Sequence, residues 1–349
     1  MSPLEAALAV IKSNDDYAVA RARAIMVVYH EQWGARWAGE YQVLEVEKEF
    51  AFPLMDPDKE VPSDSFDEGG KIDVLTLHLP TQRVKVVEHK TTSDDVAPAS
   101  HYWDRLRLDT QISKYFLAAL QDGHDIVSVV YDVVGKPGQR PCQVPLVDEH
   151  GFKIVLDQQG ERVMTQNGKK PRETGDSEKG YILQTVPETP GEFEARLLKV
   201  MRTAPGDYFA QKEVPRLGSD LLDFMADDWQ TAAELEYRRE HNIWPRNPDA
   251  CHSLGTCEMF ELCCGRASVD GFRYHQRKDI HPELTIQAGG DGRQLLTTSR
   301  TKTLRKCARL HKLRYEDGVG RVGELSEALA FGTLMHKAWE TYFLTLKNQ

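Results

Sequence analysis

Apolar and polar positions follow two rhythms along this chain. Residues 4–35 repeat apolar side chains at helical spacing, with Ile25, Met26, Val27, Val28 and Trp33 in the second half, and predict a helix. Residues 41–54 partly alternate and suit a strand, whereas 55–69, rich in Asp, Pro, Ser and Gly, read as a loop. Two further strands are expected at 71–79 and 83–89 around a Pro-Thr-Gln turn. After a polar connection at 94–104, residues 105–121 place Leu106, Leu108, Ile112, Tyr115, Phe116 and Leu120 at helical intervals. The β-branched run 126–134 predicts a buried strand.

Further on, residues 148–180 look like an exposed hairpin insertion, with Asn167-Gly168 as a turn signal. Helical patterns recur near 190–203 and 218–240, and a last helical region spans 298–346. The Gly-rich polar stretch 276–298 reads as a linker. No internal repeat is present. Strands and helices mixed in this way predict an α/β fold, a central mixed sheet flanked by helices.

Composition narrows the picture. The chain has 349 residues, of which 40% are hydrophobic, so a sizeable core is expected. No apolar run is long enough to span a bilayer, and the N-terminus lacks the basic region of a signal peptide. The expected compartment is the cytoplasm, that of the host if the chain is viral. A net charge of −10 argues mildly against nucleic-acid binding. Local charge argues the other way, because Arg300, Lys302, Arg305, Lys306, Arg309, Lys312 and Arg314 follow one another with no acid between them. Such a strip is either a solvated helix face or a track for a phosphate backbone.

The candidate chemistry begins at Asp73, within Gly70-Lys71-Ile72-Asp73-Val74, and continues in Val86-Val87-Glu88-His89-Lys90-Thr91-Thr92. Two strands joined by a short turn can set Asp73 beside Glu88, and period two puts Glu88 and Lys90 on one face. Paired carboxylates hold a hard divalent ion. Such an ion polarises a phosphodiester and acidifies bound water. A lysine beside it orients that water or offsets developing charge.

Gly-x-x-Asp followed by an apolar strand ending Glu-His-Lys resembles the core motif of PD-(D/E)XK nucleases of the RecB branch. In that branch a helix carries Gln-x-x-x-Tyr, and Gln111-Ile112-Ser113-Lys114-Tyr115 stands in the matching place. The resemblance implies a restriction-endonuclease-like core, with Gln111 and Tyr115 lining the DNA-backbone side. The family's early histidine has two candidates. His30 reads as an ordinary structural residue, while His336, in Gly332-x-x-x-His336-x-x-x-Glu340, resembles the family's first motif. The preceding segment, with Ser299 and Cys307, resembles the family's opening segment.

By that resemblance the C-terminal part of this chain corresponds to the family's beginning, as in a circular permutation. Residues 1–275 would carry the catalytic strands, the Gln-x-x-x-Tyr helix and a cysteine triplet. Residues 276–297 would join the ancestral termini, and 298–349 would complete the same single domain. Met1 and Gln349 are then expected near each other. The implied metal ligands are Asp73, Glu88, His336 and the backbone carbonyl of His89, with Mg²⁺ or Mn²⁺ bound and Mn²⁺ favoured by the imidazole. Glu47 and Glu49 are weaker candidates for an outer ligand.

Six cysteines occur, and Cys251, Cys257 and Cys263 cluster after Trp244-Pro245. Their spacing is looser than zinc pairs usually show. It resembles the triplet of iron–sulfur RecB-like nucleases, including AddB-type nuclease domains and CRISPR-adaptation nucleases. There a distant fourth cysteine, here Cys307, completes a [4Fe–4S] site. Zinc and free cysteines are the alternatives. Cys264 competes with Cys263, and Cys142 reads as a spectator.

These features imply a DNA nuclease, an exonuclease or end-processing enzyme of recombination, repair or phage replication. Its substrate would be single-stranded DNA or duplex ends, with Arg300, Lys302, Arg305 and Lys306 as candidate DNA contacts. No P-loop is present, so a motor would come from a helicase or recombinase partner. The contrasting expectation is a silent DNA-binding or assembly module on the same fold.

Overall fold

A computed structural model describes residues 1–253, 255–269, 271–323 and 326–349. The chain opens with α1 (Pro3–Val10) and α2 (Asp16–Glu40). The single helix expected over 4–35 is therefore two. Ile11 turns extended, and the Asp15 carboxylate accepts from the N–H groups of Tyr17 and Ala18 to start a new helix. Strands β1 (Tyr41–Met55), β2 (Pro62–His78) and β3 (Arg83–Thr92) follow. The loop expected over 55–69 ends at Asp56–Val61, because β2 begins at Pro62 and pairs back along β1 to Phe50–Gly70 and Pro53–Asp67. Its acids are satisfied by distant groups. Asp67 accepts from the Arg293 guanidinium at 2.6 Å and from the Gly290 N–H at 2.7 Å.

A 3₁₀ turn at His101–Leu108 precedes α3 (Thr110–Gln121), so Leu108 stands exposed outside the helix expected to bury it. Strand β4 (Ile126–Gly135) runs parallel to β3. The insertion is a ribbon of short strands, β5 (Gln143–Pro145), β6 (Val155–Leu156), β7 (Ile182–Leu183) and β8 (Thr185–Pro187). Gly168 at φ +64° makes its Asn-Gly turn. Helix α4 (Pro190–Thr203) leads into β9 (Phe209–Val214), an edge strand antiparallel to β4 that the sequence pattern does not announce. Then come α5 (Gly218–His241), the short α6 (Phe260–Cys263), β10 (Tyr274–Gln276), β11 (Gln294–Thr297), α7 (Thr298–Lys306) and α8 (Ala308–His311). A π-helical turn at Lys312–Glu316, β12 (Val319–Arg321) and α9 (Glu327–Lys347) complete the chain. The region expected as helical over 298–346 is thus interrupted. The stretch read as a linker is also ordered against the body. Its end is β11, parallel to β2, and Glu49 accepts from the N–H groups of Thr285 and Ile286.

The main sheet runs β1-β2-β3-β4-β9, with β11 beside β2. Alternation gives it two apolar faces. Val87, Val130 and Val134 pack against α1, α2, α4 and α9, in a core holding Trp37, Phe193 and Trp339. Val86, Val129 and Val133 face α3 and the 3₁₀ turn, with Ile112, Phe116 and Trp103. A third cluster, Phe66, Leu235, Trp244, Leu296 and Leu304, seats α5, β11 and α7 on the extended end of β2. Helix α1 lies on α9 within the first core. Val10 and Ser13 line one groove with Glu327 and Ala330, at the opposite ends of the two helices, so α1 and α9 run antiparallel. Among the described residues no helix is long and apolar enough to cross a membrane.

One buried ammonium joins these layers. Lys114 on α3 contacts Glu68 of β2, lies 3.4 Å from Asp228 of α5, and donates to the Leu296 carbonyl of β11 at 2.6 Å. All three side chains are buried. The ammonium thus meets one carbonyl and two carboxylates. Burial pushes the Glu68 carboxyl up to about 8, against the pull of Lys114. Removing the cation would leave buried acids uncompensated. Lys114→Met is therefore expected to cost roughly 3–5 kcal/mol in urea unfolding at pH 8. Adding Glu68→Gln should recover part of that loss.

Candidate active site

The β2–β3 ladder ends at Val74–Val87, and beyond it the backbone of β3 is free on that side. The N–H of His89 donates to Asp73 Oδ2 at 2.9 Å. In an antiparallel pair one residue directs its N–H and carbonyl to the same edge, so the His89 carbonyl faces this side as well. Glu88 lies within β3, one residue past the end of that ladder, and Lys90, two residues on, ion-pairs with its Oε1. Behind Glu88, Tyr115 donates to Oε2 at 2.8 Å, and Gln111 donates to the Tyr115 hydroxyl at 2.6 Å. Gln111 and Tyr115 thus share a helix face. Tyr115 is largely buried, and both residues line the cleft behind the acid.

His336 arrives from α9 and places Nδ1 3.8 Å from Asp73 Oδ2. The histidine from the far end of the chain therefore meets the acid of β2. His30 does not; it bonds the Tyr342 hydroxyl at 2.8 Å inside the helical layer. Glu47, opposite Asp73 on β1, completes the cluster. Among the described residues, Glu47, Asp73 and His336 form the one group whose ligand atoms lie within 4.8 Å of one another. Glu47 has φ +51° in mid-strand, a conformation that costs a non-glycine residue energy and here directs its carboxylate to the cluster. That φ has no signature in the sequence. Glu49 is excluded from the cluster by its bonds to Thr285 and Ile286. Gly70 has a steric reason to lack a side chain, since a Cβ there would come within 2.7 Å of the Phe50 ring.

The electrostatics ask for a cation. Burial, and then the neighbouring Glu88 carboxylate, push the Asp73 carboxyl well above its usual range. Burial and the nearby Lys90 drive the His336 imidazole down to about 3, so it is neutral and able to ligate. Burial opposes the Lys90 ammonium, but Glu88 and Asp73 outweigh it and keep the lysine protonated. Two carboxylates, a neutral imidazole and a backbone carbonyl suit a divalent ion.

The cluster opens into a cleft of about 650 Å³. Its walls include Thr297, Thr298 and Ser299 at the start of α7, Thr333 of α9, Arg277, Glu283 and Leu284 of the former linker, and Arg314. The hydroxyl-rich start of α7 was legible as a capping signature, for Thr297 accepts from the Arg300 N–H. Its place in the cleft was not. The basic strip disperses. Arg300 is only 1% exposed, held by the Leu295 carbonyl, Gln294 and Glu316. It is therefore a structural group and not a DNA contact, while Lys302, Arg305 and Lys306 stay exposed on α7.

The cysteines lie in two places. Cys257 and Cys307 pack on one small apolar cluster with Met259, Tyr274 and Leu310. The Cys257 N–H bonds the Cys251 carbonyl at 2.7 Å. Burial, then neighbouring Cys263, Cys307 and Cys264, raise the Cys251 thiol. Among the described residues, no three of these sulfurs lie within 4.8 Å of one another. Cys142 lies apart beside Glu188.

Residues 295–349 match the family model described as the PD-(D/E)XK nuclease superfamily. No curated protein and no solved structure matches the chain. The matched stretch carries His336 and Cys307, and the central mixed sheet flanked by helices is consistent with that superfamily's nuclease-like fold. Nucleases of this superfamily use divalent metals such as Mg²⁺ or Mn²⁺, and the candidate acidic site here is of the kind they need.

The repulsion between Asp73 and Glu88 yields a test with a change of sign. A raised folded-state pKa gives stability at low pH that is lost as pH rises. In EDTA at pH 8, Asp73→Asn should therefore melt higher than the wild type, with the gain fading as pH falls. With Mn²⁺ at a hundredfold excess over its Kd, the wild type should gain about 2.7 kcal/mol and overtake the mutant. A mutant that melts lower in both buffers would contradict the cation site.

Proposed function

We propose that the chain is a metal-dependent DNA nuclease of the RecB-like kind, acting on single strands or duplex ends. The observation that carries this reading is the convergence of Asp73, Glu88 and Lys90 with His336, which comes from the opposite end of the sequence. Asp73, Glu47, His336 and the His89 carbonyl would hold the ion, with Glu88 adjacent. When bound, the ion supplies Lewis-acid polarisation of the phosphodiester and a more acidic water. The protein's own groups do the rest. Tyr115 and Gln111 hold Glu88 in one orientation. The Lys90 ammonium offsets negative charge as it develops on the phosphate. The start of α7 lines the cleft and would meet a phosphate of the substrate there. Nothing in the site resembles a base-reading element, which favours end-processing over sequence-specific cutting.

Lys90→Ala should lower Mn²⁺-dependent cleavage of labelled single-stranded DNA by at least about a hundredfold, the scale of losing one preorganised electrostatic group. Equal cleavage by mutant and wild type would remove the nuclease reading from this site. It would leave a DNA-binding module on the same scaffold as the alternative. Mn²⁺ is expected to support at least as much activity as Mg²⁺.

Two further readings accompany this one. Cys251, Cys257, Cys263 and Cys307 would ligate a [4Fe–4S] cluster, with Cys264 able to stand in for Cys263. Anaerobic purification should give a brown protein, and Cys307→Ser should lose both colour and iron. Zinc in place of iron would overturn that assignment. The motif order reads as circularly permuted, a reading supported by antiparallel packing of α1 on α9. A chain reopened between the exposed Gln287 and Ala288, with a short bridge from Gln349 to Met1, should fold and cleave. An insoluble or inactive rearranged chain would count against it.

A further inference from the structure

Beyond the cleft, one stretch of chain reverses the sign of the protein. Residues 265–278 carry Arg266, Arg273, Arg277 and Lys278 against Asp270 alone, in a chain of net charge −10. In their midst Phe272 is 85% exposed. The Arg273 guanidinium lies over its ring, 5.5 Å from the centroid. Phe272, Arg273 and Arg266 line an open concavity of about 710 Å³ together with Ser268, Gly271 and Glu261, whose carboxylate pairs with Arg266 at 3.2 Å and leaves Arg273 as the cation nearest the ring. Leaving a phenylalanine in water forgoes roughly 1.5–3 kcal/mol of burial, so a ring so placed invites a partner. Cationic groups around an aromatic face suit a chain that is both anionic and flat-sided. Phosphates pair with the guanidinium groups, and bases stack on the ring.

The ring is tied to the cleft by a short rigid connection. Strand β10 begins at Tyr274, which is buried and donates its hydroxyl to the Glu258 carbonyl at 3.1 Å. Its pairing with β12 continues to Gln276, and the Val322 N–H bonds the Arg273 carbonyl at 2.8 Å. The next residue, Arg277, lines the same cleft as Asp73 and Glu88. Five steps of extended chain separate Phe272 from Arg277, at most about 17 Å. That span is a few nucleotides of a single strand.

We propose that Phe272, with Arg273 and Arg266, is a base-stacking platform that holds single-stranded DNA a few nucleotides from the phosphate in the cleft. The proposal rests on reading that cleft as a DNA nuclease site. It also names the substrate form. A duplex keeps its base faces stacked inside the helix and offers the ring nothing, whereas a single strand or a frayed end does.

The test uses the full-length protein in EDTA, with anisotropy of a labelled oligothymidylate and of a labelled duplex. Phe272→Ala should weaken single-strand binding about tenfold, within the range measured for loss of one stacked base. Phe272→Trp should restore it, with quenching of the new indole as the strand binds. Phe272→Leu, apolar but without a π face, should bind as weakly as the alanine variant. Duplex affinity should be the same in all four proteins. Wild-type affinity in Phe272→Ala would overturn the platform. So would full restoration by leucine, the result expected of an apolar protein-docking residue. Metal-dependent cleavage of a thymidine dinucleotide by wild type and Lys90→Ala tests the cleft separately, so the two readings fail by different results.

Discussion

Two carboxylates buried side by side on neighbouring strands, Asp73 and Glu88, set the problem that the surrounding structure answers. Like charges in a low-dielectric site repel strongly unless something compensates. Each partner here compensates in part. The His89 N–H bonds one acid, and Tyr115 and Lys90 hold the other. What is left over is a preference for a cation, and the neutral His336 together with Glu47 supplies the remaining donors. The strain at Glu47 fits the same logic, for backbone energy is spent where a side chain must reach a fixed point.

Orientation of that site depends on a layer of buried polar contacts just behind it. The His89 ring stacks on Trp339 at 4.7 Å, and its Nδ1 lies 3.1 Å from the buried Asp132. Asp132 in turn accepts from Tyr29 at 2.6 Å and from Gln211 at 3.1 Å. The same helix, α9, therefore delivers His336 to the cleft and clamps the strand that carries Glu88. On the other face, Lys114 binds α3 to β2, α5 and β11 through one ammonium. Residues from the two ends of the chain thus share one rigid frame, and the distance between them in sequence has no consequence for the geometry.

In a chain of net charge −10, the basic strip of the sequence is divided between interior and surface. Arg300 is spent in the interior, and Lys312 is paired with Asp317 at 2.7 Å. Lys302, Arg305 and Lys306 are exposed on α7 and Arg273 beside Phe272, while the half-buried Arg277 and Arg314 line the cleft, Arg314 paired with Glu258 at 2.7 Å.

The sequence by itself determined the strands that bear Asp73, Glu88 and Lys90, the helix that bears Gln111 and Tyr115, and the alternation that buries both faces of β3 and β4. These are local patterns of period two or near four, written in adjacent residues. It also pointed, by motif, to His336 and Cys307. Only the tertiary structure decided that Pro62–Gly70 is strand and not loop, because Asp67 and Glu68 are satisfied by Arg293 and Lys114 from far along the chain. It likewise decided that Arg300 is interior, that Glu47 and not Glu49 faces Asp73, and that Tyr115 sits behind Glu88. A charged residue reads as surface or ligand in sequence; which it becomes depends on the partner that burial brings to it, and that partner is set by packing between elements rather than by its neighbours in the chain.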